Sequence, residues 1–226
     1  MKPRWTDFDK GWIIAALLPI IGIIPALGGT RVINTADGLF HVHRIFAMTQ
    51  LMNAGNLYPR WIPWFHLGYG YPVFNNYAPA ASYTGGLLGL LGITAPLAYT
   101  LIASLSWIGG SLGMYGLARR YLPAYAALVA AALWVYAPSR LQDVWNIGNL
   151  AQIIGTALLP WLFLALARAV EQPNYRRCAV LALAFGGLIL AHQPTTVLVA
   201  LFITPGLPLM SLWAARADRK SLLPRL

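Results

Sequence analysis

The chain has 226 residues, 58% of them hydrophobic and only 10% charged, with 16 basic side chains against 6 acidic ones. An ordinary soluble domain carries roughly 25% charged residues, so this chain could not cover a water-facing surface. Soluble enzyme, nucleic-acid binder and secreted disulfide scaffold are excluded, the last because Cys178 is the single cysteine. Stretches 11–30, 61–78, 79–118, 121–139, 144–167 and 178–215 contain no Asp, Glu, Lys or Arg. Several of them reach the roughly 20 residues that a membrane-crossing helix needs. The expected class is all-α: a polytopic membrane protein with about six transmembrane helices, forming one transmembrane domain over 1–226.

In chain order, Lys2, Arg4 and Lys10 precede the first apolar run and set the N-terminus on the cytoplasmic side of the cell membrane. That run exceeds the roughly 7–15 residues of a signal-peptide core, so an uncleaved helix is expected over 12–29, interrupted by Pro19 and Pro25. A long outer loop follows, 30–94. Asn34, Thr35 or Asp37 can cap a helix running from Gly38 to near Asn53. Its spacing puts Asp37, His41 and Arg44 on one face. Beyond Gly55, Pro59, Pro63, Pro72 and Pro79 with Gly68 and Gly70 exclude regular helix. Trp61, Trp64, Tyr69, Tyr71 and Tyr77 there suit a membrane interface. Pro79–Gly92 is apolar but too short to span, which reads as a membrane-parallel or re-entrant segment.

Further helices are expected over 95–118, 122–138, 150–167, 178–191 and 195–214. Arg119-Arg120, Arg168 and the basic turn 171–177 separate some of them, and His192-Gln193-Pro194 breaks the last pair. With 79–92 not crossing, Lys2, Arg4, Lys10, Arg119, Arg120, Arg168, Arg176, Arg177, Arg216, Arg219, Lys220 and Arg225 all fall inside. Only Arg31, Arg44, Arg60 and Arg140 stay outside, as the positive-inside rule prefers. Asp37, Asp143 and all four histidines then share the outer face. The chain closes on a basic inner segment, which reads as the N-terminal portion of something longer.

The outer Asp-Gly…His-x-x-Arg helix, Leu57-Tyr58-Pro59-Arg60-Trp61, and the run Gly68 to Pro79 (GYGYPVFNNYAP) closely resemble a family of prokaryotic membrane proteins. Its members are called 6-pyruvoyl-tetrahydropterin synthase-related, and their architecture is similar to the GT-C glycosyltransferase superfamily. Ala118-Arg119-Arg120 and Leu190-Ala191-His192 add to the likeness, which covers essentially the whole chain. Nothing in the sequence supplies a soluble pterin synthase's closely set zinc-binding histidines.

The resemblance implies a membrane glycosyltransferase whose donor, a polyprenyl-phosphate-linked sugar, is used on the outer face. It implies that Asp37 is the carboxylate that removes the acceptor's proton, although an N-cap role alone would also explain an Asp there. Asp143 is the second candidate acid, for metal binding or acceptor positioning, against a solvated loop acid paired with Arg140. Arg44, Arg60 and Arg140 suit a lipid phosphate leaving group, or lipid headgroups generally. Tyr71, Phe74, Asn75, Asn76 and Tyr77 can line a sugar pocket, or pack the loop on the membrane surface.

His41 and His192 are candidate substrate contacts. With His43 and Asp37 they are also candidate ligands for a divalent metal. His-x-His on a helix points its rings to different faces, so hydrogen-bonded histidines are the default; no cofactor follows from the sequence. The alternatives to the enzyme are a non-catalytic scaffold of cell-envelope polysaccharide assembly and a lipid or solute transporter. The uncharged spans disfavour the transporter.

Overall fold

The computed structural model describes residues 9–27 and 34–202. Lys2, Arg4, Asp7, Arg31, the expected helix beyond Phe202 and the basic residues from Arg216 onward lie outside the described residues. Eleven helices are described: α1 Gly11–Leu17, α2 Ile20–Leu27, α3 Gly38–Asn53, α4 Val73–Asn76, α5 Ala80–Leu90, α6 Ala95–Ala118, α7 Ala124–Tyr136, α8 Pro138–Gln142, α9 Leu150–Glu171, α10 Tyr175–Ala191 and α11 Gln193–Phe202. A π-helical turn, Asp143–Ile147, follows α8. No β-strand occurs among the described residues, where extended backbone pairs in a single bridge between Ile62 and Tyr71.

Two helices, α6 and α9, are long and apolar enough to cross a membrane. At 24 and 22 residues they measure roughly 36 and 33 Å, against a bilayer core of about 30 Å. A third span results if α7 and the segment Pro138–Ile147, bent by 40°, count as one. The remaining apolar runs are divided. Pro19 splits the first into α1 and α2, and His192, extended at φ −157° and ψ 102°, separates α10 from α11. With 11 residues, α5 reaches only about 16 Å and packs along α3 and α6.

At the centre of the fold is α6, against which α1, α2, α3, α5, α7 and α9 all pack. Lipid tails give helices no hydrophobic reason to associate, so close approach and hydrogen bonds must do it. Both features are present. Ala127 and Ala131 of α7 are fully buried beside Ala15 and Tyr115. Gly113 of α6 admits the Trp161 indole, where a Cβ would fall 2.6 Å from Nε1. That indole donates to the Gly109 carbonyl at 2.8 Å.

The Pro19 break is repaired by the same means. Proline has no N–H to give the carbonyl four residues back, which is Ala15. Ser111 Oγ, buried on α6, donates to the Ala15 carbonyl at 2.6 Å, and Tyr136 OH donates to the Leu18 carbonyl at 2.5 Å. Outward, Ile13, Leu17, Ile21, Ile24, Leu105, Leu133 and Leu183 are exposed, an apolar surface of the kind a bilayer covers.

The polar groups collect at two ends. At one, Asp9 accepts from Gly11 N–H (2.9 Å), Tyr115 OH (2.5 Å) and Arg119 Nε (3.1 Å). Burial pushes the Asp9 carboxyl up, but these bonds and the Arg119 charge outweigh it, so its pKa lies below the ordinary value. Arg120 pairs with Glu171 there, and Arg177 donates to the Arg168 and Gln172 carbonyls. At the other end, the starts of α3, α6 and α9 meet.

Ser111→Ala should strand the Ala15 carbonyl without changing packing volume much. The expected cost is about 1–2 kcal/mol, read as a lower melting temperature in detergent; an unchanged melting temperature would mean another donor already serves that carbonyl.

Candidate functional site

The second end is built on the π-helical turn. Gly148 closes it at φ 69°, donating from its N–H to the Asp143 carbonyl at 2.8 Å. A side chain at Gly148 would suffer twice, from the left-handed backbone and from collision with Thr35 Oγ1. The Gly148 carbonyl accepts from Tyr99 OH at 2.9 Å. The turn presents the Asn146 and Ile147 carbonyls to the start of α3, where they accept from Ala36 N–H (3.0 Å) and Asp37 N–H (2.7 Å). The first and second loops are thereby stitched together through backbone.

Thr35 takes the capping role at α3, its Oγ1 accepting from Gly38 N–H at 3.1 Å. The Asp37 side chain makes no cap hydrogen bond. Its half-buried carboxylate accepts instead from Asn149 Nδ2 at 3.3 Å. Asn149 Oδ1 in turn accepts from Gln152 N–H (3.1 Å), which caps α9, and from Tyr77 OH (3.2 Å).

Tyr77 joins three elements. The Arg44 guanidinium lies 4.1 Å from its ring centroid, and the His41 ring meets it edge-on at 5.9 Å. His41 is 1% exposed, and its Nε2 has no hydrogen-bond partner among the described residues. Burial, helped by the Arg44 charge, pushes His41 down to about 4 against the opposing pull of Asn149. The imidazole is therefore neutral at pH 7. Asp37, His41 and Arg44 lie along one side of α3, around Asn149 and Tyr77.

The other expected residues are distributed differently. Asp143 is buried at 5% exposure, not solvated. Its Oδ1 accepts from Gln152 Nε2 at 2.7 Å. Its Oδ2 lies 3.1 Å from an Arg140 terminal nitrogen, an ion contact without hydrogen-bond alignment. Arg140 also lies 5.6 Å from the Trp134 ring centroid. His192 sits against α9, where a Cβ at Gly155 would fall 2.6 Å from its own Cβ, and its Nδ1 is 2.7 Å from Thr195 Oγ1. Arg60 is exposed above Tyr58, 5.2 Å from the ring centroid, and makes no described contact with the Asp37 cluster. Asn75 and Asn76 are exposed on α4.

Beside the cluster opens a cavity of about 590 Å³ lined by Phe40, His43, Arg44, Phe46, Trp64, Phe65, His66, Tyr71 and Val73. Arg44 borders this cavity and also touches the Tyr77 junction. Tyr71 meets His66 edge-on at 4.6 Å. Among the described residues, no three His, Cys, Asp or Glu side chains come close enough to hold a metal ion. His41 faces inward and His43 outward, so Asp37, His41, His43 and His192 do not form a ligand set.

Sequence reasoning did not select Asn149 or Gln152. The usable signal was Asn149-Leu150-Ala151-Gln152 directly before an apolar run, close to a capping-box pattern. Asn149→Ala should release Asp37 and Tyr77 and uncap α9. Loss of the cap alone costs typically about 1 kcal/mol, so a lowered melting temperature is expected; Asn149→Asp, which keeps the acceptor, should recover the cap but not the bond to Asp37.

Residues 74–221 match the family described as the 6-pyruvoyl-tetrahydropterin synthase related domain, a membrane protein family. No curated protein and no solved structure matches the chain. The matched stretch begins at Phe74, so it takes in Tyr77, Arg140, Asp143, Asn149 and His192, while Asp37, His41 and Arg44 precede it. Because the match spans well over half of the sequence, the chain belongs to the 6-pyruvoyl-tetrahydropterin synthase related family of membrane proteins.

Proposed function

We propose that this protein is a multi-pass cell-membrane glycosyltransferase of GT-C-like architecture, using a polyprenyl-phosphate-linked sugar at the end of the bundle that carries Asp37. On this reading that end faces outward, the N-terminus is cytoplasmic, and the divided runs α1–α2 and α10–α11 complete about six crossings. The observation that carries the reading is the Asp37 carboxylate. It is relieved of capping by Thr35 and pinned by Asn149, which Tyr77 links to Arg44 at the edge of an aromatic cavity.

In the proposed reaction, the acceptor hydroxyl oxygen attacks the anomeric carbon while Asp37 takes its proton. The bond from the anomeric carbon to the donor phosphate oxygen breaks, and polyprenyl phosphate leaves with that electron pair. Arg44 holds the phosphate on this reading, since guanidinium matches it in charge and geometry. Phe40, Phe46, Trp64 and Tyr71 offer apolar faces to the sugar ring or to the first isoprene units. Asp143, enclosed by Arg140 and Gln152, serves as a positioning residue for the turn that holds Asp37. The basic end opposite is what the positive-inside rule assigns to the cytoplasm.

Asp37→Asn in the intact protein should lower the rate of sugar transfer from a polyprenyl-phosphate donor by about 10²–10⁴, the usual worth of general-base catalysis, with little change in melting temperature. Arg44→Gln should chiefly raise the donor concentration required. Full transfer activity in Asp37→Asn would remove the base from the mechanism. No transfer from any such donor by the wild type would favour the non-catalytic scaffold.

A further inference from the structure

The basic end contains a cavity of about 440 Å³ between the end of α6, the end of α9 and the start of α10. Arg120, Arg168, Arg176 and Arg177 line it, with Glu171 as the one acid among the described residues and Ala165 and Val180 as apolar wall. The positive-inside rule explains why arginines lie on this side, but not why they converge on one hollow. Residues that only set topology could extend into water, whereas Arg120, Arg168 and Arg177 are partly buried.

Glu171 is held by Arg120 through two contacts. Arg177 spends one terminal nitrogen on the Arg168 and Gln172 carbonyls, which closes the turn between α9 and α10 and fixes the cavity wall. Arg176 and Arg177 lie in the first turn of α10, the end of a helix where added positive charge is disfavoured. Four guanidiniums converging on one cavity match an anion with several oxygens, and phosphate is the group that arginine holds bidentately. Basic pockets between membrane helices on the cytoplasmic side bind phospholipid headgroups, and the Ala165 and Val180 wall suits an amphiphile.

We propose that this cavity binds a phosphate group, carried by an anionic phospholipid or by a soluble phosphate compound. The site is separated from Asp37 by the length of α9 and is independent of the glycosyltransferase reading. Occupancy would tie α6, α9 and α10 together at one end, and so stabilise the fold in proportion to ligand concentration.

The test is thermal melting of the intact protein in detergent, titrated separately with phosphatidylglycerol, phosphatidylcholine and inorganic phosphate. Saturable stabilisation by phosphatidylglycerol but not phosphatidylcholine is expected. Arg168→Gln and Arg176→Gln should each raise the half-saturating concentration about tenfold or more, the scale of one charge-assisted hydrogen bond. Lys10→Gln, which removes a charge at the same end but outside the cavity, should leave it unchanged. If inorganic phosphate saturates with the same arginine dependence while the two lipids behave alike, the ligand is a soluble phosphate compound. Should Arg168→Gln fail to fold, the exposed Arg176 still carries the comparison. The proposal is overturned if no ligand binds saturably, if both arginine variants bind as wild type does, or if Lys10→Gln weakens binding equally.

Discussion

A bilayer core offers no water to a charge or to an unpaired backbone group, and that constraint orders this molecule. It keeps α6 free of charge from Ala95 to Ala118 and drives ionisable side chains to the helix ends. It also explains why an interrupted backbone is met by side chains. Where Pro19 removes a donor, Ser111 supplies one from α6, and Tyr136 serves the neighbouring carbonyl from α7. Each repair doubles as a contact between helices, so the proline that divides the first apolar run also helps to fix α1 against the centre.

The two ends that result are chemically unlike. One gathers Asp9, Arg119, Arg120, Glu171 and Arg177 into ion pairs and carbonyl caps that fasten helix ends. The other is organised by a neutral amide. Asn149 donates to Asp37 and accepts from Tyr77 while capping α9, and the π-helical turn before it delivers two carbonyls to the start of α3. Removal of the capping task from Asp37 to Thr35 is the small local choice that leaves the carboxylate oriented by the junction. Around it, a neutral buried His41 and the Arg44–Tyr77 stack set a polar corner beside an aromatic cavity.

Composition and periodicity made the helical class and the bounds of α6 legible, because an uncharged run ending in Arg119-Arg120 admits few readings. The division of the outer runs was less legible, since the prolines marked where a helix could break and not whether its halves remained one span. The i, i+4, i+7 spacing put Asp37, His41 and Arg44 on one face, and the structure places them around the same residues. The joining role of Asn149 and Tyr77 was hidden because no local pattern connects positions 112 apart, as Asn149 and Asp37 are, or 72 apart, as Asn149 and Tyr77 are. Arg140 and Asp143 were readable as a pair from their spacing. Their burial was not, because it depends on Gln152 and Trp134 reaching the turn from α9 and α7.

A transferase site at the Asn149 junction and a phosphate site at the basic end both require the two ends to face opposite sides of a membrane, with the junction outward. Labelling by a membrane-impermeant thiol reagent in intact cells tests this directly, in a Cys178→Ser background with single cysteines at Asn146 and at Lys10. The account requires the cysteine at position 146 to react from outside, and the one at position 10 to react only after the membrane is permeabilised. The reverse pattern, or equal reaction of both in intact cells, would contradict it.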